Sequence, residues 1–311
     1  MDPSIDSNLI TLLSDIRRTA SFDNYEFLLK GHSNAKKVIL FQSGEPVYLL
    51  RVYDADSFAR RSEEYDYLER HYNHGVNCQK PVAIGLADEL KLCYLLLTYT
   101  EGQSGEEALP GLSPESQYMQ GVEAGKQLRI IHIVEPKVPF RWADKRYGKY
   151  VNKKEVLREL NLNFYKQHEI ESFIERHFHL LESSPVRFQH DDFHPANMIF
   201  KDGRLNGIID FSRFDWGDPW EEFFKLPKYT CCVSKPFARG QVQGYFDGRI
   251  PDEFWLKYHL FVALNQHATL IGGYQSQRVE ETQEKIQRTI QSHNFADGGP
   301  PSWFICKNFF S

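Results

Sequence analysis

The pattern of hydrophobic and polar positions changes along the first hundred residues from a helical period to short apolar runs. An amphipathic helix is predicted over residues 7–19, because apolar residues recur at helical spacing behind Ser7, a candidate cap. These apolar residues are Leu9, Leu12, Leu13 and Ile16. Three strand-like runs follow, YEFLLK, KKVILF and PVYLLRVY, separated by the turn-type segments GHSNA and QSGE. The pattern therefore predicts a helix followed by an antiparallel meander.

A second helix is predicted at about residues 56–72, before the pattern returns to strands. The residues expected on its buried face are Phe58, Tyr65, Leu68 and Tyr72. Two further strands are predicted near PVAIGL and LCYLLLTYT. The N-terminal part is therefore predicted to be mostly sheet with one inserted helix.

The composition changes after Tyr99, where TEGQSGEEALPGLS is rich in Gly, Ser, Glu and Pro. Beyond this stretch the periodicity is helical, and Ser113 followed by Pro114 is a typical helix start. Further helices are predicted at 165–183, 219–226, 251–272 and 277–293. We therefore predict an N-terminal domain of residues 1–100 and a mainly helical domain of residues 101–311.

Composition and charge narrow the class of protein. The chain has 311 residues, of which 41% are hydrophobic and 25% charged, which is typical of globular domains with a buried core. The longest apolar runs, such as Leu92 to Thr98, are too short to cross a bilayer, and the N-terminus lacks a signal-peptide pattern. We therefore expect a cytoplasmic protein with reduced cysteines. A net charge of −5 argues against nucleic-acid binding and mildly favours cationic partners.

The stretch from Val186 to Trp220 contains the residues with the clearest chemistry. NMIF and LNGIID flank KDGR, and an Asp-Gly pair between apolar runs is a strong hairpin signal. Asn197 precedes the first predicted strand and Asp210 ends the second, so we expect both at the open end of the hairpin, with Asp192 one loop earlier. Carboxylate and carboxamide oxygens beside a spare base are what magnesium-dependent phosphoryl transfer requires.

The segment HDDFHPAN resembles the catalytic loop of the aminoglycoside phosphotransferases and related small-molecule kinases, whose usual form is HGDLHPGN. The resemblance implies an α+β, two-lobed protein-kinase-like fold, with an N-terminal antiparallel-sheet lobe and a larger helical lobe. It also implies that Asp192 is the catalytic base and that Asn197 and Asp210 are Mg²⁺ ligands. Asp191 and Ala196 replace the usual glycines, and the added charge of Asp191 is expected to raise the pKa of the base.

Two other interpretations of this stretch are a purely structural hairpin and a zinc site. His190 and His194 are four residues apart with acidic residues between them, as in HExxH hydrolases. Pro195 argues against that arrangement, because a residue that precedes proline is disfavoured in a helix. We therefore expect both histidines to brace the loop through packing and hydrogen bonds.

The resemblance extends to the N-terminal part. GHSNA lies where the family has a phosphate-covering turn, which implies that Gly31, Ser33 and Asn34 contact the nucleotide, although the segment is also an ordinary hairpin connection. Arg51 stands where most kinases have a phosphate-binding lysine, and choline-kinase-like relatives tolerate arginine there. The alternative for Arg51 is an ordinary residue on a strand surface.

The next two segments complete the implied nucleotide site. RRSEEYDYL resembles the family's REYxxL pattern, and Glu64 is preferred to Glu63 as the partner of the strand cation because it adjoins the predicted buried face. LLLTYTEG resembles the family's hinge, which implies that backbone groups of Thr98, Tyr99 and Thr100 bind the purine of ATP or GTP.

The activity implied by the resemblance is phosphorylation of a small-molecule alcohol, such as an aminoglycoside or an amino alcohol. Protein kinase activity is disfavoured because RFDWGDPWEEF follows Asp210 at once and leaves no activation segment. A nucleotide-binding, pseudokinase-like regulatory protein and a hydrolytic metalloenzyme are the alternatives. The sequence predicts no particular oligomeric state.

Overall fold

The computed structural model describes residues 7–28, 35–296 and 298–305. The chain divides into two compact units. The first contains the described residues up to Gly102, together with Ile199–Lys201 and Asn206–Ser212, and the second contains the others. The division into residues 1–100 and 101–311 remains a proposal about the domains, and it did not assign the two hairpin segments to the first unit.

The helices and the strands are each numbered in chain order. The helices are α1 (Ser7–Ile16), α2 (Phe58–Asn73), α3 (Gly105–Ala108), α4 (Pro114–Ile131), α5 (Trp142–Glu159), α6 (Gln167–His177), α7 (Cys231–Val233), α8 (Lys235–Tyr245), α9 (Phe254–Gln275), α10 (Val279–Gln291) and α11 (Ser302–Ile305). The strands are β1 (Asn24–Phe27), β2 (Lys36–Gln42), β3 (Glu45–Asp54), β4 (Pro81–Ala87), β5 (Leu92–Thr98), β6 (Gln103–Ser104), β7 (Arg187–Gln189), β8 (Met198–Lys201), β9 (Arg204–Ile208) and β10 (Asp215–Gly217).

The first unit is built on an antiparallel sheet with the strand order β1-β2-β3-β5-β4. Ser43 and Gly44 join β2 to β3 with φ values of 54° and 85°, which are typical of a tight hairpin turn. The predicted apolar face of α1 is buried with the sheet side chains in one core, which includes Leu12, Val38 and Leu50. The predicted amphipathic helix and antiparallel meander are confirmed.

The predicted face of α2 is only partly correct, since Leu68 is buried while Phe58 and Tyr65 are partly exposed. Tyr72 is 42% exposed, whereas Glu64, Tyr67, Leu68 and His71 are the residues that the helix buries. Counting only apolar residues rotated the predicted face, because Glu64 and His71 are polar. A buried polar side chain needs a partner. Glu64 pairs with Arg51 of β3 and with Arg61 of its own helix, and the His71 ring lies beside Phe211.

The predicted Asp-Gly hairpin is confirmed. Strands β8 and β9 pair with each other, and Asp202 and Gly203 between them have φ values of 51° and 73°. Positive φ at both central residues gives the turn a backbone twist that matches the twist of the strands. Asn197 immediately precedes β8, and Asp210 follows β9 by two residues with a left-handed φ of 65°.

The second unit is mainly helical, and the sequence pattern did not predict the long helices α5 and α8 or the short helices α3, α7 and α11. In α8 the apolar pattern is interrupted by Gly240 and Gly244, which serve close packing against α4. A Cβ atom at Gly125 of α4 would lie 2.1 Å from the carbonyl oxygen of Gln241. Glycine at these positions therefore lets the two helix backbones meet.

The predicted helix at 219–226 is also wrong in type. Pro219–Phe224 forms a 3-10 helix and Leu226–Thr230 a π-helix, and Pro227 in the first turn of the latter has no N–H to donate to the preceding segment. The predicted start of α4 is confirmed, since the Ser113 side chain accepts a hydrogen bond from the Ser116 amide at 3.2 Å. Within the described part of the chain, no helix combines the length and hydropathy that a membrane span requires.

Candidate active site

A buried ion pair lies at the centre of the first unit. Arg51 in β3 donates through Nη1 to Glu64 Oε1 at 2.8 Å, and the two side chains are only 4% and 0% exposed. The alternative that Arg51 is a surface-strand residue is therefore wrong. Glu63 is 61% exposed and pairs with Arg60 instead. The predicted pairing of Arg51 with Glu64 is confirmed.

Two further side chains fix this pair. Arg61 pairs with the second carboxylate oxygen of Glu64, and the guanidinium carbons of Arg51 and Arg61 lie 5.5 and 4.9 Å from the centre of the Tyr53 ring. Burial alone would lower the pKa of Arg51, but the adjacent Glu64, Tyr53 and Asp210 outweigh it and raise that pKa. Arg51 therefore keeps its positive charge and is held by several contacts.

Asp210 lies beside this arginine. Its Oδ1 accepts a hydrogen bond from Ser212 Oγ at 2.6 Å and lies 3.4 Å from Arg51 Nη2. Lys37 is opposite Arg51 in the register of β2 and β3. Burial lowers the pKa of Lys37, with Asp210 opposing the change and Arg51 adding to it. In the first unit, Arg51 and Lys37 therefore both interact with the carboxylate of Asp210, a residue of the predicted metal site.

In the segment predicted to bind the purine, some backbone groups already form hydrogen bonds with neighbouring strand segments. The amides of Thr98 and Tyr99 donate to the carbonyls of Lys80 and Val47, each at 2.9 Å. Among the described residues, none forms a hydrogen bond with the Tyr99 carbonyl or with the backbone of Thr100. These backbone groups are the ones left to meet a base. The predicted phosphate-covering residues Gly31, Ser33 and Asn34 lie outside the described residues.

In the second unit the structure brings Asp192 and Asn197 together. Asn197 Nδ2 donates to Asp192 O at 2.9 Å and to Oδ2 at 3.0 Å, while His194 Nε2 lies 3.2 Å from Oδ1. Arg213 Nη1 lies 3.7 Å from the same Oδ1. Burial would raise the pKa of Asp192, but His194, Arg213 and His190 outweigh it and lower that pKa. The carboxylate is held ionised and oriented.

The donor atoms near these residues fit a hard cation. Asn197 directs its Nδ2 group at Asp192, and no described residue donates a hydrogen bond to its Oδ1. Amide and carboxylate oxygens are preferred Mg²⁺ ligands, and phosphates and water complete the shell in kinases. Asn197 of the second unit and Asp210 of the first unit each offer an oxygen of this kind.

The histidines of the loop brace it, as predicted. His194 has an extended backbone with φ −152° and ψ 168° directly before Pro195, so His190 and His194 do not share a helix face. His190 Nδ1 accepts from the Asp192 amide at 3.2 Å, and the His194 ring stacks on Tyr229 with centroids 4.8 Å apart. In the parts of the chain that the structure describes, no group of three or more His, Cys, Asp or Glu side chains is arranged to hold a metal.

A buried charge network behind the loop was missed by sequence reasoning. Asp191 has a left-handed φ of 57°, at the position where the family has glycine. Lys225 Nζ lies 3.0 Å from Asp191 Oδ1 and 3.1 Å from Glu222 Oε1, and the Asp191 amide donates to Glu222 Oε2 at 3.1 Å. The network therefore holds a backbone conformation that costs a non-glycine residue energy.

This network also corrects one electrostatic prediction. Asp191 was expected to raise the pKa of Asp192, yet the pKa of Asp192 is lowered and Asp191 is not among the causes. Burial instead raises the pKa of Asp191 itself, with Lys225 opposing the change and Glu222 adding to it. Lys225 and Glu222 lie in WEEFFK, where only the spacing of an acid and a base by three residues hinted at a pair.

Comparison with known proteins finds a matching family model and similar solved structures. A family model described as "Phosphotransferase enzyme family" matches residues 24–257. The structure of APH(2″)-IIa in complex with gentamicin is 20% identical, covers 91% of this chain and 96% of its own, and has a TM-score of 0.64. Wild-type aminoglycoside 2′-phosphotransferase-IIIa in complex with GDP is 17% identical, with coverages of 91% and 98% and a TM-score of 0.66. A search of curated sequences finds no significant match. The predicted α+β, protein-kinase-like fold is confirmed.

Proposed function

Because the chain belongs to the phosphotransferase enzyme family, we propose that it transfers the γ-phosphate of ATP or GTP to a hydroxyl group of a small molecule. The observation that carries the proposal is the environment of Asp192. Its carboxylate is held ionised by His194 and Arg213 and is oriented by Asn197. A half-buried, oriented carboxylate on a loop is suited to accept a proton from an alcohol.

We assign the nucleotide phosphates to the charged cluster of the first unit. Arg51 keeps its charge and is fixed by Glu64, so it can bind phosphate without first being ordered. Gly31, Ser33 and Asn34 are proposed to cover the phosphates, and backbone groups of Thr98, Tyr99 and Thr100 to bind the purine. Of this last segment, the Tyr99 carbonyl and the Thr100 backbone are favoured because their hydrogen-bonding capacity is unused by the described residues.

Asn197 and Asp210 are proposed to hold Mg²⁺. When bound, the ion neutralises the charge that develops on the transferred phosphate. The Arg51–Asp210 contact of 3.4 Å is longer than the Arg51–Glu64 contact of 2.8 Å. Asp210 can therefore give up its weaker contact to a metal while the stronger pair stays intact.

The acceptor is proposed to be a small alcohol handled in the cytoplasm. The related structures include complexes with gentamicin and with streptomycin and ATP, so an aminoglycoside or amino alcohol is one candidate for this chain. The net charge of −5 agrees with a cationic acceptor, but net charge says nothing about the charge around a single site.

The test is acceptor-dependent release of ADP or GDP by the purified full chain. We expect release with ATP or GTP plus a member of an alcohol panel, and loss of release without Mg²⁺ or in Asp192→Asn. Tight nucleotide binding without acceptor-dependent release from a broad panel would instead identify a nucleotide-binding regulatory protein.

A further inference from the structure

A large cavity lies within the second unit, between the π-helix Leu226–Thr230 and the helices α9 and α10. Its volume is ≈790 Å³, within the range typical of small-molecule sites. Part of its lining is aromatic or aliphatic: Phe224, Tyr229, Ile286 and Trp303. Such a wall suits a ligand with an apolar or planar part.

Basic residues outnumber acidic ones in the lining of the cavity. The charged residues in its lining are Glu106, Lys228, Lys235, Lys285 and Arg288. Lys285 forms an ion pair with Glu281 and is therefore partly neutralised. Lys228 contacts the Thr269 hydroxyl at 3.4 Å rather than an acid. In the described residues neither Lys228, Lys235 nor Arg288 forms an ion pair with a carboxylate, although Lys285 and, to a lesser extent, Arg288 lower the pKa of the exposed Glu281. Cations therefore outnumber acids in the cavity wall.

The wall of this cavity also contacts the catalytic loop. Tyr229 lines the cavity, and its ring stacks on His194 with centroids 4.8 Å apart and an interplanar angle of 22°. His194 Nε2 in turn lies 3.2 Å from Asp192 Oδ1. The cavity wall is thus connected to the proposed base through two direct contacts, Tyr229 with His194 and His194 with Asp192.

We propose that this cavity binds the acceptor and selects an acidic alcohol, one that carries a carboxylate or phosphate besides the hydroxyl that reacts. This inference rests on the proposed function. The acceptor oxygen bonds to the γ-phosphorus as the bond to the β,γ-bridging oxygen breaks; Asp192 receives the hydroxyl proton, and ADP or GDP leaves. A polycationic aminoglycoside would meet like charges from Lys228, Lys235 and Arg288, and such juxtaposition opposes binding.

The first arm of the test measures the charge preference of the cavity without turnover. The dyes are 8-anilino-1-naphthalenesulfonate and N-phenyl-1-naphthylamine, which share their rings but differ in the sulfonate. We expect Arg288→Glu and Lys228→Glu each to weaken binding of the sulfonated dye about tenfold. The affinity for the uncharged dye should change by less than about twofold. The matched control is Arg158→Glu on α5, which changes net charge equally at an exposed position outside the cavity.

The second arm measures ADP release with three open-chain alcohols of one skeleton, gluconate, sorbitol and glucamine, and with kanamycin, sugar phosphates and hydroxy acids. We expect the acidic alcohols to give the highest kcat/KM. For these acceptors kcat/KM should fall about tenfold in Arg288→Glu and should keep the wild-type value in Arg158→Glu.

Three results would overturn the inference: equal weakening of both dyes, no effect of either charge reversal on the sulfonated dye, or a higher kcat/KM for kanamycin or glucamine than for every acid. The proposed function fails separately, if no alcohol of any charge promotes ADP release. In that case the dye titrations alone decide whether the cavity prefers anions.

Discussion

Two clusters of charged side chains, one in each unit, differ in how they are exposed and paired. The first-unit cluster contains Arg51, Arg61, Glu64 and Asp210. The loop cluster contains Asp192, His194, Asn197 and Arg213. In the first, the central arginine and glutamate are 4% and 0% exposed and are bound by short ion pairs. In the second, Asp192 is 20% exposed, and its cationic neighbour Arg213 is 3.7 Å away and itself 68% exposed.

The difference follows from what each group is proposed to do. A cation that only binds phosphates can be buried among fixed partners, because these partners keep it charged and correctly oriented. A base must take up and release a proton, so it needs access to the acceptor and partners that tolerate the change. Removing Asp192 should therefore affect turnover alone, whereas removing Arg51 should affect both nucleotide binding and turnover.

The largest effect is expected for Asp192→Asn, which removes the base but keeps the size of the side chain. Turnover should fall about 10²- to 10⁴-fold while nucleotide affinity changes by less than about twofold. ADP release and nucleotide titration measure the two quantities. Asp202→Asn is the matched control, because it removes the same charge at a hairpin-turn position that favours asparagine. Near-wild-type turnover in Asp192→Asn would refute the assignment.

A smaller effect is expected for the first-unit pair. Arg51→Ala should raise the nucleotide KM and lower turnover, about tenfold or more in kcat/KM, and Glu64→Ala should do so more weakly by releasing the arginine. If the residues act as one unit, the double variant should add little to Arg51→Ala. Full additivity would mean that a lysine of β2, Lys36 or Lys37, supplies the positive charge instead.

Magnesium dependence distinguishes the proposed ligands. Asp210→Ala and Asn197→Ala should each weaken nucleotide binding in Mg²⁺ by about tenfold, with less effect in EDTA. Asp210→Ala should have the larger effect because its charge acts directly on the ion. Calorimetric titration with and without Mg²⁺ measures this coupling, and unchanged coupling in both variants would remove these residues from the metal shell.

Features that depend on neighbours in the sequence were predictable, whereas those that join remote segments were not. The buried face of α1 and the hairpin turn at Asp202 and Gly203 follow from local patterns, and both were predicted. The pairing of Arg51 with Glu64 was predicted because the family pattern supplies a partner across thirteen positions. The burial of His71 was not, because nothing near it in sequence indicates that its ring would lie 5.4 Å from Phe211.

The network around Lys225 was unpredictable for the same reason. Glu222 is completely buried as a side chain and bonds the amide of Asp191, thirty-one positions earlier. A sequence shows the spacing of Glu222 and Lys225 on a helical turn, but not that the loop of Asp191 passes over them. Only the departure from glycine at 191 signalled that something must stabilise the left-handed backbone there.

Stability measurements can test that network. Lys225→Met should lower the free energy of unfolding by about 3 kcal/mol, because it removes the lysine that pairs with the buried Glu222 carboxylate and leaves only weaker contacts with histidines such as His132. Asp191→Gly should change it by less than about 1 kcal/mol, since glycine relieves the backbone cost and Lys225 keeps Glu222 as a partner. Denaturant unfolding measures both. Equal destabilisation by the two changes would mean that Asp191 contributes more through its ion pair than its backbone costs.

The smallest expected effect concerns the pH dependence of the base. Burial raises the pKa of Asp192, while the His194 contact opposes burial and helps to hold that pKa below its ordinary value. His194→Phe removes the hydrogen bond but keeps a ring that can stack on Tyr229. The pKa of Asp192 should then rise, because the ionised form loses a partner while burial remains.

An acid whose pKa rises becomes protonated at higher pH, so the acid limb of the kcat/KM profile should move upward in His194→Phe, with little change well above it. Tyr229→Leu is the matched control: it removes the stack and keeps the His194–Asp192 contact, so it should leave the acid limb in place even if the acceptor KM changes. An acid limb that stays fixed in His194→Phe would show that His194 does not affect the ionisation of Asp192. An acid limb that moves equally in Tyr229→Leu would show that His194 acts on Asp192 only through packing of the loop. Its charge and hydrogen bond would then have no part in keeping the base ionised.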